Sequence, residues 1–313
     1  MKTGRLSIIA LLLMAVLAAL VSACASTPDG EITGTVTVTD QTGRTVTISE
    51  TPQRIISLAP SNTEILYALG LGDRVVGRTD YDNYPPEVTE KPSIGGFSTT
   101  NIEQVVGLDP DLVLAADYHK DDIVPALEAR GITVLCLAPQ NLQQVLDAIN
   151  LTGKVTGVEK TAADLTASMQ KRIDAVTAKT GDLTADQKPR TMYIVWPDPI
   201  MVGSGTTLQG ELIDKAGGAN IAQDLEGYAT VNLETILADN PQVMIASTGM
   251  GEGADAGYNF LLDDERLAQT DARLNGQVYS VDQDIVSRAG PRIVDALEVF
   301  AAEIHPEIFG AGK

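Results

Sequence analysis

The sequence predicts an α/β fold with two similar lobes joined by a long helix. Segment 101–115 is repeated as segment 232–246, and every matching position keeps the same offset. Strand and helix patterns alternate in both halves of the chain, as in parallel sheets covered by helices. Residues 141–180 carry apolar side chains at three- and four-residue spacings with no strand signal, which indicates helix.

The repeat indicates one structural unit that is used twice. Each copy begins with an asparagine that can cap a short helix, Asn101 or Asn232, and has a glutamate in the first turn, Glu103 or Glu234. An Asp-Pro or Asn-Pro dipeptide ends each helix, and a short apolar run then predicts a buried strand. We therefore expect the two glutamates at equivalent places on the two lobes.

The amino terminus has the pattern of an export signal. Residues 1–23 combine a charged start, an apolar run and small residues, and we assign them to a signal peptide. The end of this segment, with Cys24, looks like a bacterial lipobox, which implies cleavage before Cys24 and acylation of its thiol. A plain membrane anchor and an ordinary secretory signal are the alternatives. Residues 24–34 predict a polar tether between lipid and domain.

Chain length, net charge and the lengths of the apolar runs limit the domain organisation, the partners and the membrane contacts that the chain can have. The chain after Cys24 is long enough for two lobes, which we place at 35–150 and 189–313, with the connecting helix at 151–188. The formal net charge of −20 argues against nucleic acid as a partner. No segment after the signal peptide is apolar and long enough to span a bilayer, so we expect membrane contact through the lipid anchor only. We also expect a monomer.

The elements of the first lobe follow from local patterns. Period-two alternation at 35–39 and 45–49 predicts a β-hairpin. Ser61 and Glu64 have capping-box spacing, so we expect them to cap the helix that follows the strand at 54–58. Cys136 lies in an apolar strand pattern and predicts a buried thiol. The remaining elements are predicted as strand 74–77, strand 112–116, helix 121–130 and strand 132–137.

The second lobe shows the same alternation of strands and helices. Its last helix is predicted to start at Pro291, because proline suits the first turn of a helix. The other predicted elements are strand 191–196, helix 207–216, helix 232–239, strand 242–247 and strand 277–281.

The residues that could support catalysis or bind a metal are few. The chain has two histidines, His119 and His305, and we expect both to be solvated. A hard-cation site formed by His119 with the neighbouring Asp117, Asp121 and Asp122 is the alternative for His119. A zinc or manganese site with several histidines cannot be built from the two histidines, so we predict no metal site. The chain has no Gly-x-Ser-x-Gly elbow and no histidine with an obvious serine or cysteine partner in sequence. We therefore predict neither catalytic residues nor a cofactor.

The few aromatic residues lie mostly at strand ends and in loops, which are the parts of an open α/β sheet that bind ligands. Ordinary packing is the alternative explanation for each of them. Together they suggest a cleft lined with flat surfaces from both lobes, suited to a bulky planar ligand. The aromatic residues in question are Tyr81, Tyr84, Phe97, Tyr118, Trp196, Tyr228 and Tyr258.

Three segments resemble a known family. Residues 52–64 resemble the first strand and helix of the helical-backbone, or class III, substrate-binding proteins of ABC importers. Residues 80–86 and 287–293 are similar to the cobalamin-binding members of that family. The resemblance extends from about Thr51 to Phe300. It implies two Rossmann-like lobes joined by a single long helix, with the ligand in the cleft between the lobes.

The resemblance also implies roles for particular residues. In this family one glutamate of each lobe docks onto arginines of the permease dimer, and Glu103 and Glu234 are the matching positions. Six residues would face the corrin ring by similarity to the cobalamin binders, and the aromatic pattern adds Tyr118 and Trp196 to the expected ligand-binding set. The six residues are Pro60, Tyr84, Phe97, Tyr228, Asp284 and Arg288.

The function implied is that of a lipid-anchored, extracytoplasmic binding protein. It would deliver a cobalamin-like corrinoid to an ABC importer, which consists of a permease dimer and its ATPase. Haem and ferric siderophores are alternative ligands, with Tyr84, Tyr118 or His119 as possible iron ligands. A surface-anchored enzyme or chelatase-like protein on the same fold is the alternative from another class. Lobe movement should be small, because one helix is a stiff hinge.

Overall fold

The structure is a computed structural model, and it describes residues 30–32, 34–249, 253 and 255–310. The predicted signal peptide, the predicted lipidation site Cys24 and most of the predicted tether lie outside the described residues. In the part of the chain that the structure describes, the helices are too short or too polar to traverse a lipid bilayer.

The first lobe consists of an antiparallel hairpin and a parallel sheet, as the alternating pattern predicts. The elements of this lobe, in chain order, are β1 (Val36–Thr39), β2 (Thr45–Ile48), β3 (Ile55–Ser57), α1 (Pro60–Ala68), β4 (Val75–Gly77), α2 (Ile102–Gly107), β5 (Leu112–Ala116), α3 (Ile123–Glu128) and β6 (Val134–Leu137). The hairpin is formed by β1 and β2, and the sheet has the order β4-β3-β5-β6.

Two helices connect the first lobe to the second. They are α4 (Leu142–Thr156) and α5 (Glu159–Thr180). Gly157 separates them, because it adopts a left-handed conformation with φ of 78° that ends α4. The connecting helix α5 therefore begins after the predicted boundary at residue 151, since residues up to Thr156 belong to the preceding helix. It ends at Thr180, before the predicted boundary at 188.

The second lobe contains a mixed sheet. The elements are β7 (Arg190–Pro197), β8 (Ile200–Gly203), α6 (Leu208–Lys215), β9 (Ala219–Asn220), β10 (Tyr228–Thr230), α7 (Leu233–Asp239), β11 (Val243–Thr248), α8 (Ala256–Asp263), α9 (Asp271–Leu274), β12 (Val278–Asp282), α10 (Gln283–Ser287), α11 (Ile293–Ile304) and α12 (Pro306–Phe309). The strands have the order β10-β8-β7-β11-β12, with β9 also paired to β7. Strands β7, β11 and β12 are parallel, whereas β8 and β10 run antiparallel to their neighbours.

The sequence repeat is also a structural repeat. Helices α2 and α7 are capped by asparagines whose side chains accept a hydrogen bond from the backbone three residues later, as predicted. Each helix is followed by a residue with positive φ, Asp109 at 48° and Asn240 at 44°. Asx residues tolerate this conformation better than most others, so the same local geometry redirects the chain into β5 and β11.

An arginine at the start of each lobe anchors its repeat helix. Arg54 donates to the carbonyl oxygens of Leu108 and Asp109, at the end of α2. Arg190 does the same at the end of α7, with Asp239 and Asn240 at 2.9 and 3.0 Å. These cations satisfy backbone carbonyls that a helix end leaves without a partner.

Both lobes share one apolar core along the connecting helix. One face of each central strand, including Leu114 of β5 and Ile245 of β11, packs into a continuous cluster with Met169 and Ile173 of α5. The opposite faces form a separate cluster in each lobe. Because the shared cluster runs through the hinge, the two lobes are held together by buried apolar surface as well as by the chain itself.

The structure decides three predictions from the sequence, which concern a buried thiol, a helix cap and a solvated histidine. Cys136 is fully buried and free, which confirms the predicted buried thiol. The predicted capping box of Ser61 and Glu64 is wrong, because Ala59 occupies the cap position, makes no side-chain cap and is followed directly by Pro60. His305 is also not solvated. It is buried, with its ring nitrogens within hydrogen-bonding distance of Gly217 and Glu307.

Candidate functional site

The two lobes meet where helix α1 begins. Gly290 of the second lobe packs against this helix so closely that a Cβ atom there would lie 3.3 Å from the carbonyl oxygen of Ser61. The adjacent Pro60 is the first residue of α1 and is partly exposed. The loops that follow the parallel strands of the first lobe therefore face residues 284–292 of the second lobe, as expected for a cleft between lobes.

A buried carboxylate lies at the centre of this contact. The side chain of Glu64 is only 1% exposed and pairs with Arg288 and Arg292 of the second lobe. Arg292 binds both carboxylate oxygens, with Nε 2.9 Å from Oε2 and Nη2 2.6 Å from Oε1. Arg288 Nη1 lies 2.9 Å from Oε1. These ion pairs join residues that are more than 200 positions apart in the sequence.

Arg288 also contacts the first lobe at other atoms. It donates to Asn83 Oδ1 at 2.7 Å and to the carbonyl oxygen of Tyr81 at 3.2 Å. Within its own lobe it pairs with Asp284 at 2.8 Å, and Asn83 donates to the other oxygen of Asp284 at 2.8 Å. The predicted ligand residues Asp284 and Arg288 therefore lie together. In this structure, most of their hydrogen-bonding capacity is used between the lobes.

Tyr84 lies on the other side of the same cluster. The guanidinium of Arg292 stacks on the Tyr84 ring, 4.1 Å from its centroid. The hydrogen bond to Glu64 raises the pKa of Arg292, so this side chain stays charged. Tyr84 lines a cavity of about 450 Å³ beside the connecting helix, and it is the only predicted ligand residue among those that line it. The lining residues also include Tyr67, Leu165, Met169, Arg172, Pro291 and Asp295.

A second group of aromatic side chains lies at the end of β5 in the first lobe. Phe97 and Tyr118 pack against each other with ring centroids 5.1 Å apart. Tyr118 is 62% exposed and Tyr81 is 63% exposed, so both offer ring surface to a ligand. A Cβ atom at Gly96 would lie 3.3 Å from the Tyr81 ring, so this ring is next to the Phe97 loop.

His119 packs edge-on against the Phe97 and Tyr118 rings. The prediction that His119 is solvated is wrong. It is fully buried, and its Nδ1 accepts a hydrogen bond from the Ala116 backbone at 3.1 Å. Its Nε2 lies 2.8 Å from the Phe97 carbonyl oxygen, which requires the tautomer protonated at Nε2. Burial lowers the pKa of His119, so the imidazole is neutral.

Asp82 is a buried polar group that anchors the loop carrying Tyr81 and Tyr84, as His119 anchors the loop carrying Phe97. Its buried carboxylate accepts hydrogen bonds from the hydroxyls of Thr63 and Thr79, each at 2.7 Å, and from the Thr79 amide at 3.0 Å. Burial raises the pKa of Asp82, and these hydrogen bonds partly oppose that shift. Sequence reasoning did not identify Asp82, although an acidic residue between two tyrosines in a turn is a signal for a loop anchor.

The predicted aromatic residues of the second lobe are separate from each other. Trp196 is at the end of β7, and its indole donates to the Asp198 carbonyl oxygen at 2.9 Å. The Tyr228 hydroxyl donates to Gln209 at 3.0 Å, and Gln209 in turn donates to the Val286 carbonyl oxygen at 3.0 Å. Both rings are partly exposed. Across the residues that the structure describes, neither ring stacks on Phe97, Tyr84 or Tyr118.

The two repeat glutamates are on the outside of the lobes. Glu103 and Glu234 are both the second residue of their helices, α2 and α7, and both are exposed. The Glu103 side chain is 81% exposed and makes a surface ion pair with Arg130 at 3.3 Å. Their positions on equivalent helices match the symmetry expected from the repeat.

The described residues contain no cluster of three histidine, cysteine, aspartate or glutamate side chains that is arranged to hold a metal ion. Polar groups at the cleft pair instead with one another and with the backbone. The arrangement can therefore hold an organic ligand between aromatic surfaces and charged groups.

Comparison with known proteins agrees with this geometry. Residues 55–285 match the family described as periplasmic binding protein. An uncharacterized ABC transporter substrate-binding lipoprotein of Bacillus subtilis is 34% identical over 279 residues, which cover 88% of this chain and 87% of the relative. A protein named cobalamin-binding protein in Halobacterium salinarum is 31% identical over 277 residues, covering 86% of this chain and 74% of the relative.

A solved structure shares the fold. The crystal structure of the periplasmic vitamin B12 binding protein of Vibrio cholerae matches with a TM-score of 0.68 and 27% identity, covering 81% of this chain and 96% of that chain. The architecture of two lobes and a connecting helix is thus common to both. The chain belongs to the periplasmic binding protein family, the extracytoplasmic substrate-binding proteins of ABC importers, and to the class whose lobes are joined by a single long helix.

Proposed function

We propose that this protein captures a cobalamin-like corrinoid between its lobes and delivers it to the permease of an ABC importer. In this proposal a lipid on Cys24 holds the protein at the outer face of the cell membrane. It carries out no chemical reaction on the ligand, and it acts as a monomer. Substrate-binding proteins serve importers by concentrating a ligand beside the permease, so tight and reversible binding is the property required.

The observation that carries the corrinoid assignment is the set of exposed aromatic rings next to a fixed polar cluster. Tyr81 and Tyr118 are exposed on the first lobe, with the half-buried Phe97 packed against Tyr118, and Trp196 and Tyr228 are exposed on the second. A large planar macrocycle with polar side groups suits such a lining, because rings pack on its faces while charged groups bind its periphery. The names of the cobalamin-binding and vitamin B12 binding relatives support the same class of ligand.

Docking to the permease is assigned to Glu103 and Glu234. Both carboxylates are exposed at the start of equivalent helices, where arginines of a partner can reach them, and the surface ion pair of Glu103 with Arg130 can be exchanged for such a contact. A permease made of two identical halves presents the same surface twice, and two equivalent contacts on one binding protein match that symmetry. The ATPase that powers the importer is contacted through the permease only.

Haem or a ferric siderophore is the alternative ligand. Several of the side chains that could bind such a ligand are already paired with other groups in the protein. His119 is buried with both ring nitrogens engaged, so it is unable to ligate iron in this arrangement. The Tyr84 ring is covered on one face by Arg292. Among the candidate iron ligands named above, Tyr84 and Tyr118 remain, because a guanidinium over one ring face of Tyr84 does not block its phenol oxygen. An anionic siderophore would require free cationic groups, whereas Arg288 is already paired with two carboxylates.

The test is a titration of the full chain in detergent with three ligands: cyanocobalamin, haemin and ferrichrome. Trp196 is the only tryptophan, so quenching of its fluorescence reports on one place in the second lobe. N-acetyltryptophanamide titrated to the same absorbance corrects for light absorbed by the ligands. We expect saturable quenching and a higher thermal midpoint with cyanocobalamin, since a ligand that binds only the folded state stabilises it. Saturation by haemin or ferrichrome alone would transfer the assignment to that ligand.

Turnover is tested in parallel. The bound ligand is recovered after long incubation and compared with the starting material by mass spectrometry. We expect it unchanged. Conversion of the ligand, at a rate that depends on protein concentration, would support the enzyme or chelatase alternative instead.

A further inference from the structure

We propose that Glu64 is a positioning residue for ligand capture, which clasps the two lobes through Arg292 and fixes the Arg288 guanidinium at the cleft. The proposal rests on the proposed function, because it places Arg288 on the ligand side. Glu64 makes no ligand contact in this proposal. It acts through the two arginines of the opposite lobe.

The clasp follows from the geometry of the Glu64–Arg292 pair. Both oxygens of Glu64 are bound by one guanidinium in the bidentate arrangement, which fixes the distance and the relative orientation of the two groups. Glu64 belongs to helix α1 of the first lobe, and Arg292 directly precedes helix α11 of the second. The carboxylate is 1% exposed and the Arg292 side chain 19% exposed, so water competes little for these hydrogen bonds.

The two arginines share the Oε1 atom of Glu64 but differ in their other neighbours. Arg292 stacks on Tyr84 and lines the cavity beside the connecting helix. Arg288 contacts Asn83, the Tyr81 carbonyl and Asp284. Tyr81 is highly exposed and adjoins the Phe97 loop, so Arg288 is the arginine on the side of Tyr81 and Phe97, whereas Arg292 contacts the Tyr84 ring.

The position of Arg288 is determined from both lobes. Glu64 binds the Nη1 atom of Arg288 at 2.9 Å, and Asp284 binds its Nη2 atom at 2.8 Å. Nη1 also donates to the side-chain oxygen of Asn83. A ligand that contacts this guanidinium meets donors whose orientation is already fixed, so binding does not require a long side chain to become ordered.

The first experiment measures the separation of the lobes without ligand. Nitroxide labels are placed at Asp121→Cys on the first lobe and Asn259→Cys on the second, which are exposed positions. The full chain also carries Cys24→Ser, so the introduced cysteines are the only accessible thiols, because Cys136 is buried. Pulsed electron paramagnetic resonance then gives the distance distribution between the labels, and circular dichroism checks that each variant is folded.

We expect Glu64→Gln to broaden this distribution and to shift it away from that of the unsubstituted protein. Arg292→Lys keeps the charge but loses the bidentate geometry, so its distribution should lie between the two. The matched control is Asp164→Asn, which removes an exposed ion pair within the connecting helix and should change nothing. Distributions for Glu64→Gln and Arg292→Lys that coincide with the unsubstituted protein would overturn the clasp.

The second experiment measures binding kinetics with whichever of cyanocobalamin, haemin and ferrichrome saturates the unsubstituted protein. Glu64→Gln should raise the dissociation rate constant about tenfold, with a smaller change in the association rate constant. Lobes that separate while the dissociation rate constant stays unchanged would overturn the positioning of Arg288. If none of the three ligands binds, the proposed function fails, and the distance distributions still decide whether Glu64 is the clasp.

Discussion

The Nε2 atom of His119 lies 2.8 Å from the carbonyl oxygen of Phe97, and this hydrogen bond joins the end of strand β5 to the loop that carries an expected ligand-binding ring. The Nδ1 atom of the same imidazole accepts from the Ala116 amide. A buried neutral histidine is thus the link between the first-lobe sheet and the Phe97–Tyr118 ring pair. Protonation would place a second proton at Nδ1, where the ring now accepts a hydrogen bond.

The first prediction is that acid weakens the first lobe through His119. Its folded-state pKa lies below the ordinary value of 6.5, so its stabilising contribution is present above pH 6.5 and is lost as the pH falls towards the folded-state pKa. The loss has a slope of at most about 1.4 kcal/mol per pH unit. The measurement is urea unfolding of the unsubstituted protein and His119→Gln between pH 7.5 and pH 5. A difference between the two that is independent of pH would contradict the prediction.

The second prediction concerns Glu303 of helix α11. Its Oε2 is buried and has no hydrogen-bond partner among the described residues, and burial raises the pKa of Glu303 from 4.5 to about 8. The folded-state pKa is the higher one, so folding loses stability as the pH rises from about 4.5 and the loss levels off above about pH 8. The titratable residues that line the same crevice are Tyr279, Asp282, Asp295 and Glu298.

Glu303→Gln removes the charge and keeps the shape of the side chain. Its unfolding free energy should match that of the unsubstituted protein near pH 4.5 and exceed it by a few kcal/mol at pH 9. Glu265→Gln, at an exposed position, is the matched control and should show no such growth. If the stability difference for Glu303→Gln is constant across this range, Glu303 does not have the raised pKa.

The third prediction concerns docking. Replacing Glu103 and Glu234 together with alanine should lower the affinity for the reconstituted importer by about tenfold or more, because each lost ion pair contributes to a partner interface. Ligand affinity of the free protein should not change, since both residues are on the outside of the lobes. The control removes the same charge at two other exposed positions, Glu90 and Glu265. Transport by the Glu103/Glu234 variant at the unsubstituted rate would exclude these residues from docking.

The fourth prediction concerns the arginines that anchor the repeat helices. Arg190→Ala removes hydrogen bonds to two helix-end carbonyls and an ion pair with Asp271, and it should cost on the order of 1 to 2 kcal/mol of stability. Arg54→Ala should have a smaller effect, because it is more exposed. The control is Arg266→Ala, whose ion pair with Asp264 is local and exposed. Chemical denaturation that ranks Arg266→Ala as the most damaging of the three would refute this assignment.

The fifth prediction concerns the anchor. Cys24→Ala should move the protein from the membrane fraction to the soluble fraction, because the acyl chains provide the membrane affinity in our proposal. Mass spectrometry of the unsubstituted protein should show a lipid on Cys24. A Cys24→Ala protein that stays in the membrane fraction, together with an unsubstituted protein that carries no lipid, would rule out the lipid anchor.

Several elements were determined by the sequence alone because they depend on neighbouring residues. Period-two alternation predicted the hairpin of β1 and β2, and the asparagine caps predicted helices α2 and α7. The constant offset of the repeat predicted two equivalent lobes, and the structure keeps that equivalence down to the positive φ angles of Asp109 and Asn240. Caps, turns and periodicity act within a few residues, so a linear pattern is enough to specify them.

The roles of Glu64, His119 and His305 were decided only by the tertiary structure. By spacing, Glu64 was expected to cap a helix, yet its partners are 224 and 228 positions away in the other lobe. The two histidines were expected to be solvated, yet both are buried with hydrogen-bond partners from distant segments. Burial and long-range pairing depend on which segments the folded chain brings together. A charged or polar residue loses its bound water and gains such partners only when distant segments pack together. A local sequence pattern therefore does not predict these contacts.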